Sequence, residues 1–208
     1  MTIQSYTDLR AEVSSYLYDR ADLYNRIPTF IQLAEAQMNR RLRVRRMTAR
    51  ATATVDSDFI MLPASFAGPR AIYLNGTTGL PLEFVSDPDA MAQRKALLQA
   101  SGEPTSYTVV GRQFEFGPAP QQSYTAQLVF YEKLPALSDS NPTNWMLVDH
   151  PDAYLYGALL QSAPWLKEDD RITTWGGLFT QIVADIQASD KSDTTAPRLS
   201  MPERIDIQ

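Results

Sequence analysis

Tyr6, Leu9, Val13, Tyr16 and Leu17 recur at steps of three and four residues and predict a helix starting near Ser5 or Thr7, either of which suits an N-cap. A polar connection over 19–25 separates it from a second stripe, Ile27, Phe30, Ile31, Ala34, Met38 and Leu42. Pro28 fits the first turn of that helix, where a missing N–H costs nothing. The stripe predicts a helix to about Val44, with Arg40, Arg41, Arg43, Arg45 and Arg46 crowding its end. From Met47 the period drops to two: residues 47–55 alternate Thr or Arg with Ala or Met, the pattern of a half-exposed strand. A turn at Asp56-Ser57-Asp58 leads to a short strand over 59–62 that Pro63 ends. Asn75-Gly76 between runs 70–74 and 80–85 predicts a hairpin, and Gly111-Arg112 between 105–110 and 113–116 predicts another. Asp87-Pro88 opens a helix to about Leu98, the Gly-Pro-rich stretch 117–120 reads as loop, and a strand over 125–131 closes the β-rich region.

Residues 134–144 turn to Pro, Ser, Asp and Asn and read as a crossing between layers. Two further helices follow. The first starts where Asp149 or His150 precedes Pro151 and carries a close-packing face of Leu155, Ala158, Leu159, Ser162 and Ala163 until Pro164 ends or kinks it. The second follows Asp169-Asp170, whose carboxylates suit a helix N-terminus, with the stripe Ile172, Trp175, Phe179, Ile182, Val183 and Ile186. Beyond it, 190–208 is rich in Ser, Thr, Asp and Pro, with Leu199, Met201, Ile205 and Ile207 as its apolar points, the composition of an extended tail. Helices with one apolar face each need partners. The expected fold is therefore α+β and mainly helical: a four-helix bundle from the two chain ends, 1–46 plus 136–189. A β-rich insertion with one short helix occupies 47–135, and an extended C-terminal tail covers 190–208.

Composition adds a charge split. The chain has 208 residues and a net charge of -5, yet residues 1–50 hold nine Arg against five Asp or Glu. The remainder is acidic, which points to surfaces of opposite sign. There is no Cys, so disulfides, thiolate metal sites and thiol nucleophiles are excluded, and assembly in a reducing cytoplasm is unobstructed. No basic leader precedes an apolar run at the N-terminus, and no run of about 18 apolar residues reads as a membrane span.

Candidate chemistry is thin. His150, between Asp149 and Asp152, has the neighbours of a general base or proton shuttle, but its place at a helix start favours capping or packing. Glu168, Asp169 and Asp170 resemble the paired acids of a cell-wall hydrolase. That chemistry needs carboxyls about 5 to 9 Å apart across a cleft, whereas adjacent turn acids are solvated caps. No G-x-S-x-G, P-loop or G-x-G-x-x-G occurs, and no cofactor is expected. The arginines Arg40, Arg41, Arg43, Arg45, Arg46 and Arg50 are the sharpest charge feature. They suit phosphates, as in a nucleic-acid-binding module, or the acidic surface of a subunit or partner. No helix-turn-helix or zinc finger accompanies them, and aromatics are not interleaved, which favours protein contact. The tryptophans of 145–175 read as core.

Two segments carry a resemblance. IPTFIQLAEAQMNRRLRVRRM, residues 27–47, and NWMLVDHPDAYLYGALLQSAPWLKEDDRITTWGGLFTQIVADI, residues 144–186, resemble the head-to-tail adaptors of tailed bacteriophages, also termed connector or tail accessory proteins. The matching features are Ile27-Pro28 with Glu35 and the Arg-rich exit, and the HPDAYLYGAL helix with the downstream APWLKEDDR turn and Trp175. The resemblance implies a virion structural protein without enzymatic activity, assembled in the host cytoplasm into a dodecameric ring under the portal protein at the head–tail junction. Such a ring extends the channel through which genomic DNA passes without sequence-specific binding. It also presents a platform to nozzle or tail-tube proteins, and no membrane is involved. The resemblance further implies that the C-terminal tail, with Leu199, Met201, Ile205 and Ile207, docks on the portal. The Arg40–Arg50 segment is expected to make a subunit or portal contact.

Overall fold

The computed structural model of the protein describes residues 2–75, 80–97, 101–166 and 170–194. In chain order these form helices α1 (Tyr6–Tyr16), α2 (Ala21–Tyr24) and α3 (Ile27–Arg41), then strands β1 (Thr48–Val55), β2 (Phe59–Met61), β3 (Phe66–Leu74) and β4 (Glu83–Phe84). Helix α4 (Pro88–Leu97) precedes β5 (Ser101–Gly102), β6 (Ser106–Val110), β7 (Gln113–Gly117), β8 (Ala119–Pro120) and β9 (Tyr124–Glu132). Helices α5 (Trp145–Asp149), α6 (Pro151–Gln161) and α7 (Arg171–Thr194) follow. The chain divides into two compact units, a helical one of Met1–Arg45 with Leu134–Gln208 and a β one of Arg46–Lys133.

In the helical unit the sequence signals act locally as expected. Ser5 caps α1, its Oγ accepting from the Asp8 N–H at 3.2 Å and donating to Asp8 Oδ2 at 2.8 Å. Pro28 and Pro151 sit in the first turns of α3 and α6. The expected four-helix bundle, however, does not form, and the chain is mixed rather than mainly helical, with three sheets among the described residues. Two short helices interrupt the scheme. Leu23 is buried and anchors α2 where a plain connection is expected, and Asn144 starts α5 ahead of Pro151. The longer helices are also not equivalent. Helix α6 packs against α1, α3 and α7 at once, so Ala153, Tyr154, Leu155, Gly157, Ala158 and Leu159 are all buried. A central helix surrounded by others is apolar on most sides, whereas a bundle helix has one buried stripe. Helix α7 continues to Thr194, into the segment read as tail, and 195–208 lie outside the described residues.

In the β unit, β1 and β3 flank β9 in an antiparallel sheet, and β2, β7, β6 and β4 form a second sheet whose β4–β6 pair is parallel. Strands β5 and β8 form a small parallel pair. Alternation puts Val55, Ile72, Leu128 and Phe130 of the first sheet and Tyr107, Phe114 and Phe116 of the second into one core. Phe66 joins the two, stacked on Phe130 at 5.9 Å and edge-on to Phe114 at 5.5 Å. The Gly111-Arg112 hairpin forms as predicted, with Val110 paired to Gln113 and Gly111 at φ 60. The chain turns back after Asn75 as expected, but among the described residues the hairpin is short: Tyr73 bridges antiparallel to Pro81 and the Leu82 N–H donates to the Ile72 carbonyl at 2.7 Å, while β3 pairs along its length with β9. Residues 76–79 of that turn lie outside the described residues. Among the described residues no helix is long and apolar enough to cross a membrane.

Candidate interaction surfaces

The polar segment 134–144 needs partners for its backbone, and α3 supplies two. Asn39 Oδ1 accepts from the Leu134 N–H at 2.8 Å and Glu35 Oε1 from the Leu137 N–H at 2.7 Å. Four residues apart, these side chains share one helix face. Glu35 Oε1 also accepts from the Tyr154 hydroxyl at 3.1 Å. Asn144 Nδ2 donates to that hydroxyl at 2.6 Å and to the Pro135 carbonyl at 2.8 Å, while its Oδ1 caps α5 on the Leu147 N–H at 2.9 Å. Glu35 is only 5% exposed. Burial pushes its carboxyl above the ordinary carboxylate range, more than the hydrogen bonds from Leu137 and Tyr154 pull it down. The Tyr154 hydroxyl is likewise pushed up, first by burial and then by Glu35. Enclosed and bonded to the backbone, Glu35 is a strut for 134–144 rather than an acid offered to a substrate.

The residues with candidate chemistry are dispersed. His150 closes α5 and opens α6, half-buried beside a shallow depression of about 260 Å3 shared with Asp152, Ile182 and Asp185. Asp152 Oδ1 accepts from the Ala153 N–H at 2.9 Å, a contact of the helix start. Of the acidic turn, Glu168 and Asp169 lie outside the described residues and Asp170 is exposed. Among the described residues no group of three His, Asp or Glu side chains is placed to hold a metal. Trp175 is buried, and Trp165 packs on Phe30 with ring centroids 5.1 Å apart.

The arginines expected to act as one cluster fall in two units: Arg40, Arg41, Arg43 and Arg45 in the helical one, Arg46 and Arg50 in the β one. Arg43 Nη1 donates to the Asn39 and Leu42 carbonyls at 2.6 Å each and closes the C-terminus of α3. Arg41 lies over the Phe179 ring at 5.8 Å. Its carbonyl accepts from Gln187 Nε2 at 2.7 Å. The Arg45 N–H and Nε both donate to Asp190 Oδ1, at 2.9 and 3.2 Å. Part of the run thus ties α3 to α7, and Arg40 is exposed. Arg50 lines instead, with Arg70 of β3, one depression in the β unit, a grouping across the sheet that no local pattern signals. Leu199, Met201, Ile205 and Ile207 lie outside the described residues.

A further surface lies where α1, α2, the end of α6 and the start of α7 meet. Tyr18 and Asp19 both adopt left-handed backbone, at φ 57 and 49, where glycine is favoured. Asp19 is tied down, its N–H on the Ser14 carbonyl at 2.9 Å and its Oδ1 accepting from Ser14 Oγ at 3.0 Å. Tyr18 is 76% exposed, with the Arg171 guanidinium 4.8 Å from its ring centre. Arg26 lies over the Trp165 ring and Arg20 Nη1 donates to the Trp165 carbonyl. Tyr, Trp and Arg are the residue types that dominate interface centres. A bulky residue held left-handed costs about 1 kcal/mol or more, and one ring-to-guanidinium contact at an exposed site offsets only part of it. Tyr18→Gly is therefore expected to leave the free protein as stable as before or up to about 1 kcal/mol more stable, by thermal denaturation. A loss of stability would show that the ring serves the fold.

No curated protein matches the chain. A family model described as SU10 adaptor protein matches residues 4–202, almost the entire sequence. With both helical ends and the β unit inside that span, the chain belongs to the SU10 adaptor protein family, a family of phage structural adaptors rather than of enzymes.

Proposed function

We propose that the protein is the head-to-tail adaptor of a tailed phage, forming a ring beneath the portal that extends the DNA channel and gives the tail components a platform. The observation that carries this reading is the family match along residues 4–202. The physical features agree with it. The basic first 50 residues and the acidic remainder provide opposite charges for head-to-tail contacts between identical subunits, the kind that close by rotation into a ring. Arg40, with Arg41, Arg43, Arg45 and Arg46 of the run that follows it, serves the subunit or portal contact. The Tyr18 surface has the composition of an interface centre. Residues 195–208, with Leu199, Met201, Ile205 and Ile207, dock on the portal, and nozzle or tail-tube proteins bind the far side of the ring. Assembly takes place in the host cytoplasm, and the product stays at the head–tail junction of the virion.

Mixing the protein with portal and measuring particle mass, with electron microscopy of the product, tests the reading: a ring of copies on the portal is expected. Truncation after Thr194 keeps all of α7. It is expected to give a protein that melts as the full chain does but no longer co-purifies with portal. Normal docking of the truncated protein would refute the role of the tail while leaving the ring intact.

A further inference from the structure

The outward face of the sheet formed by β1, β9 and β3 has no role in the contacts described above. Ala49, Ala51 and Ala53 of β1 pack toward the core, so Thr48, Arg50, Thr52 and Thr54 point away from it. On β9 the outward set includes Gln127 and Val129, and Arg50 stands opposite Val129. Val129 also pairs with Ala71, next to an irregularity in β3 between Pro69 and Ala71. Arg70 lies at that irregularity and is exposed. Thr48, Arg50, Arg70, Tyr73 and Gln127 line a shallow depression of about 480 Å3 within this face.

Its positive charge is unopposed within the sheet. Arg70 Nη1 donates to Thr48 Oγ1 at 2.6 Å and its guanidinium lies 5.1 Å from the Tyr131 ring centre. These partners are neutral: they fix the group without cancelling its charge. Arg50 is exposed and has no ion-pair partner among the described residues. Glu132 is the only carboxylate in the three strands, and it shares its parity with the core-facing Leu128 and Phe130. Two uncompensated guanidinium groups thus occupy the outer strands of a hydroxyl-rich face, about 10 Å apart by strand spacing, in a protein of net charge -5.

We propose that this face binds the phosphodiester backbone of duplex DNA, without reading bases. Guanidinium forks match phosphate oxygens, and Thr and Gln side chains are typical further donors to the backbone. The regular charge of a duplex supplies an anion to each arginine at once, whereas a single carboxylate side chain would reach one. The proposal holds for one subunit and does not depend on ring formation.

Fluorescence anisotropy of a labelled, mixed-sequence duplex, titrated with the full-length protein over a range of salt, tests it. Binding at low salt that weakens steeply as salt rises is expected. R50A/R70A is expected to weaken it about tenfold or more and to flatten the slope of log K against log salt by about 1.8, from about 0.9 per phosphate contact. R50K/R70K, which keeps the charges, is expected to keep most of the slope. An R50A/R70A protein with unchanged melting that binds duplex as the wild type does would overturn the proposal. So would absence of wild-type binding at low salt. Displacement of the duplex by poly-glutamate as effective as by unlabelled duplex would also overturn it, marking the face as a site for acidic polypeptide.

Discussion

Gly157→Val is expected to lower the stability of the helical unit by about 3 kcal/mol, because there is no room for a side chain where α3, α6 and α7 meet. A Cβ at Gly157 would lie 3.0 Å from a ring carbon of Phe179 and 3.1 Å from the Ala34 Cβ. Both neighbours are completely buried, so neither moves aside into solvent. The Ala34 methyl is part of the α3 backbone framework, and relief requires the helices to separate. Gly157→Ala meets the same atoms with one carbon and is expected to cost about 1 kcal/mol, since the helix propensity it gains offsets part of the overlap. Thermal denaturation followed by helical circular dichroism reads both. A Val variant melting within a degree of the wild type would mean that the three helices are not packed this closely.

Glu35→Ala is expected to cost about 2 to 4 kcal/mol, from the removed buried volume and from the Leu137 N–H and Tyr154 hydroxyl left without their acceptor. Glu35→Gln separates charge from hydrogen bonding, because an amide oxygen still accepts both. Its signature is in the pH dependence. With its folded pKa raised, Glu35 binds more protons in the folded than in the unfolded protein between the ordinary Glu range and the raised value. The stability it contributes is full below the unfolded pKa and is lost as pH rises through the folded one. The difference in melting temperature, Gln variant minus wild type, should therefore grow from acid toward neutral pH and then level off. A difference independent of pH would show that Glu35 ionises as an exposed carboxylate does.

Features that depend on a few neighbouring residues were legible in the chain. Ser5, Pro28 and Pro151 mark helix starts, and Gly111 marks a hairpin, because capping, proline geometry and left-handed backbone are local effects. The stripes of α1, α3 and α7 appear as buried faces for the same reason. Architecture is another matter. That α6 lies at the centre, or that β3 pairs along its length with β9 beyond its short antiparallel contact across the Asn75 turn, is decided by contacts among residues far apart in sequence. Four equivalent bundle helices would each bury a single stripe, whereas α6 carries apolar residues around most of its circumference. Glu35 left a trace that was readable. It lies between Ile31 and Met38 at the spacing of the inward stripe, and a carboxylate there has to be buried with partners. The Arg50–Arg70 face left none, since it exists only once the register of three strands is known.

The register of β1 against β9 bears on how the protein is put together. Thr48 stands opposite Tyr131, and the β unit begins at Arg46 and ends at Lys133, so its first and last long strands are neighbours in a single antiparallel ladder. Such neighbours lie about 4.5 to 5.5 Å apart. The β unit therefore leaves and rejoins the rest of the chain at closely spaced points, as a hairpin loop does, however many residues intervene. Its two junctions with the rest of the chain are set by one rung of one ladder, Thr48 opposite Tyr131, rather than by the length of the 46–133 segment between them.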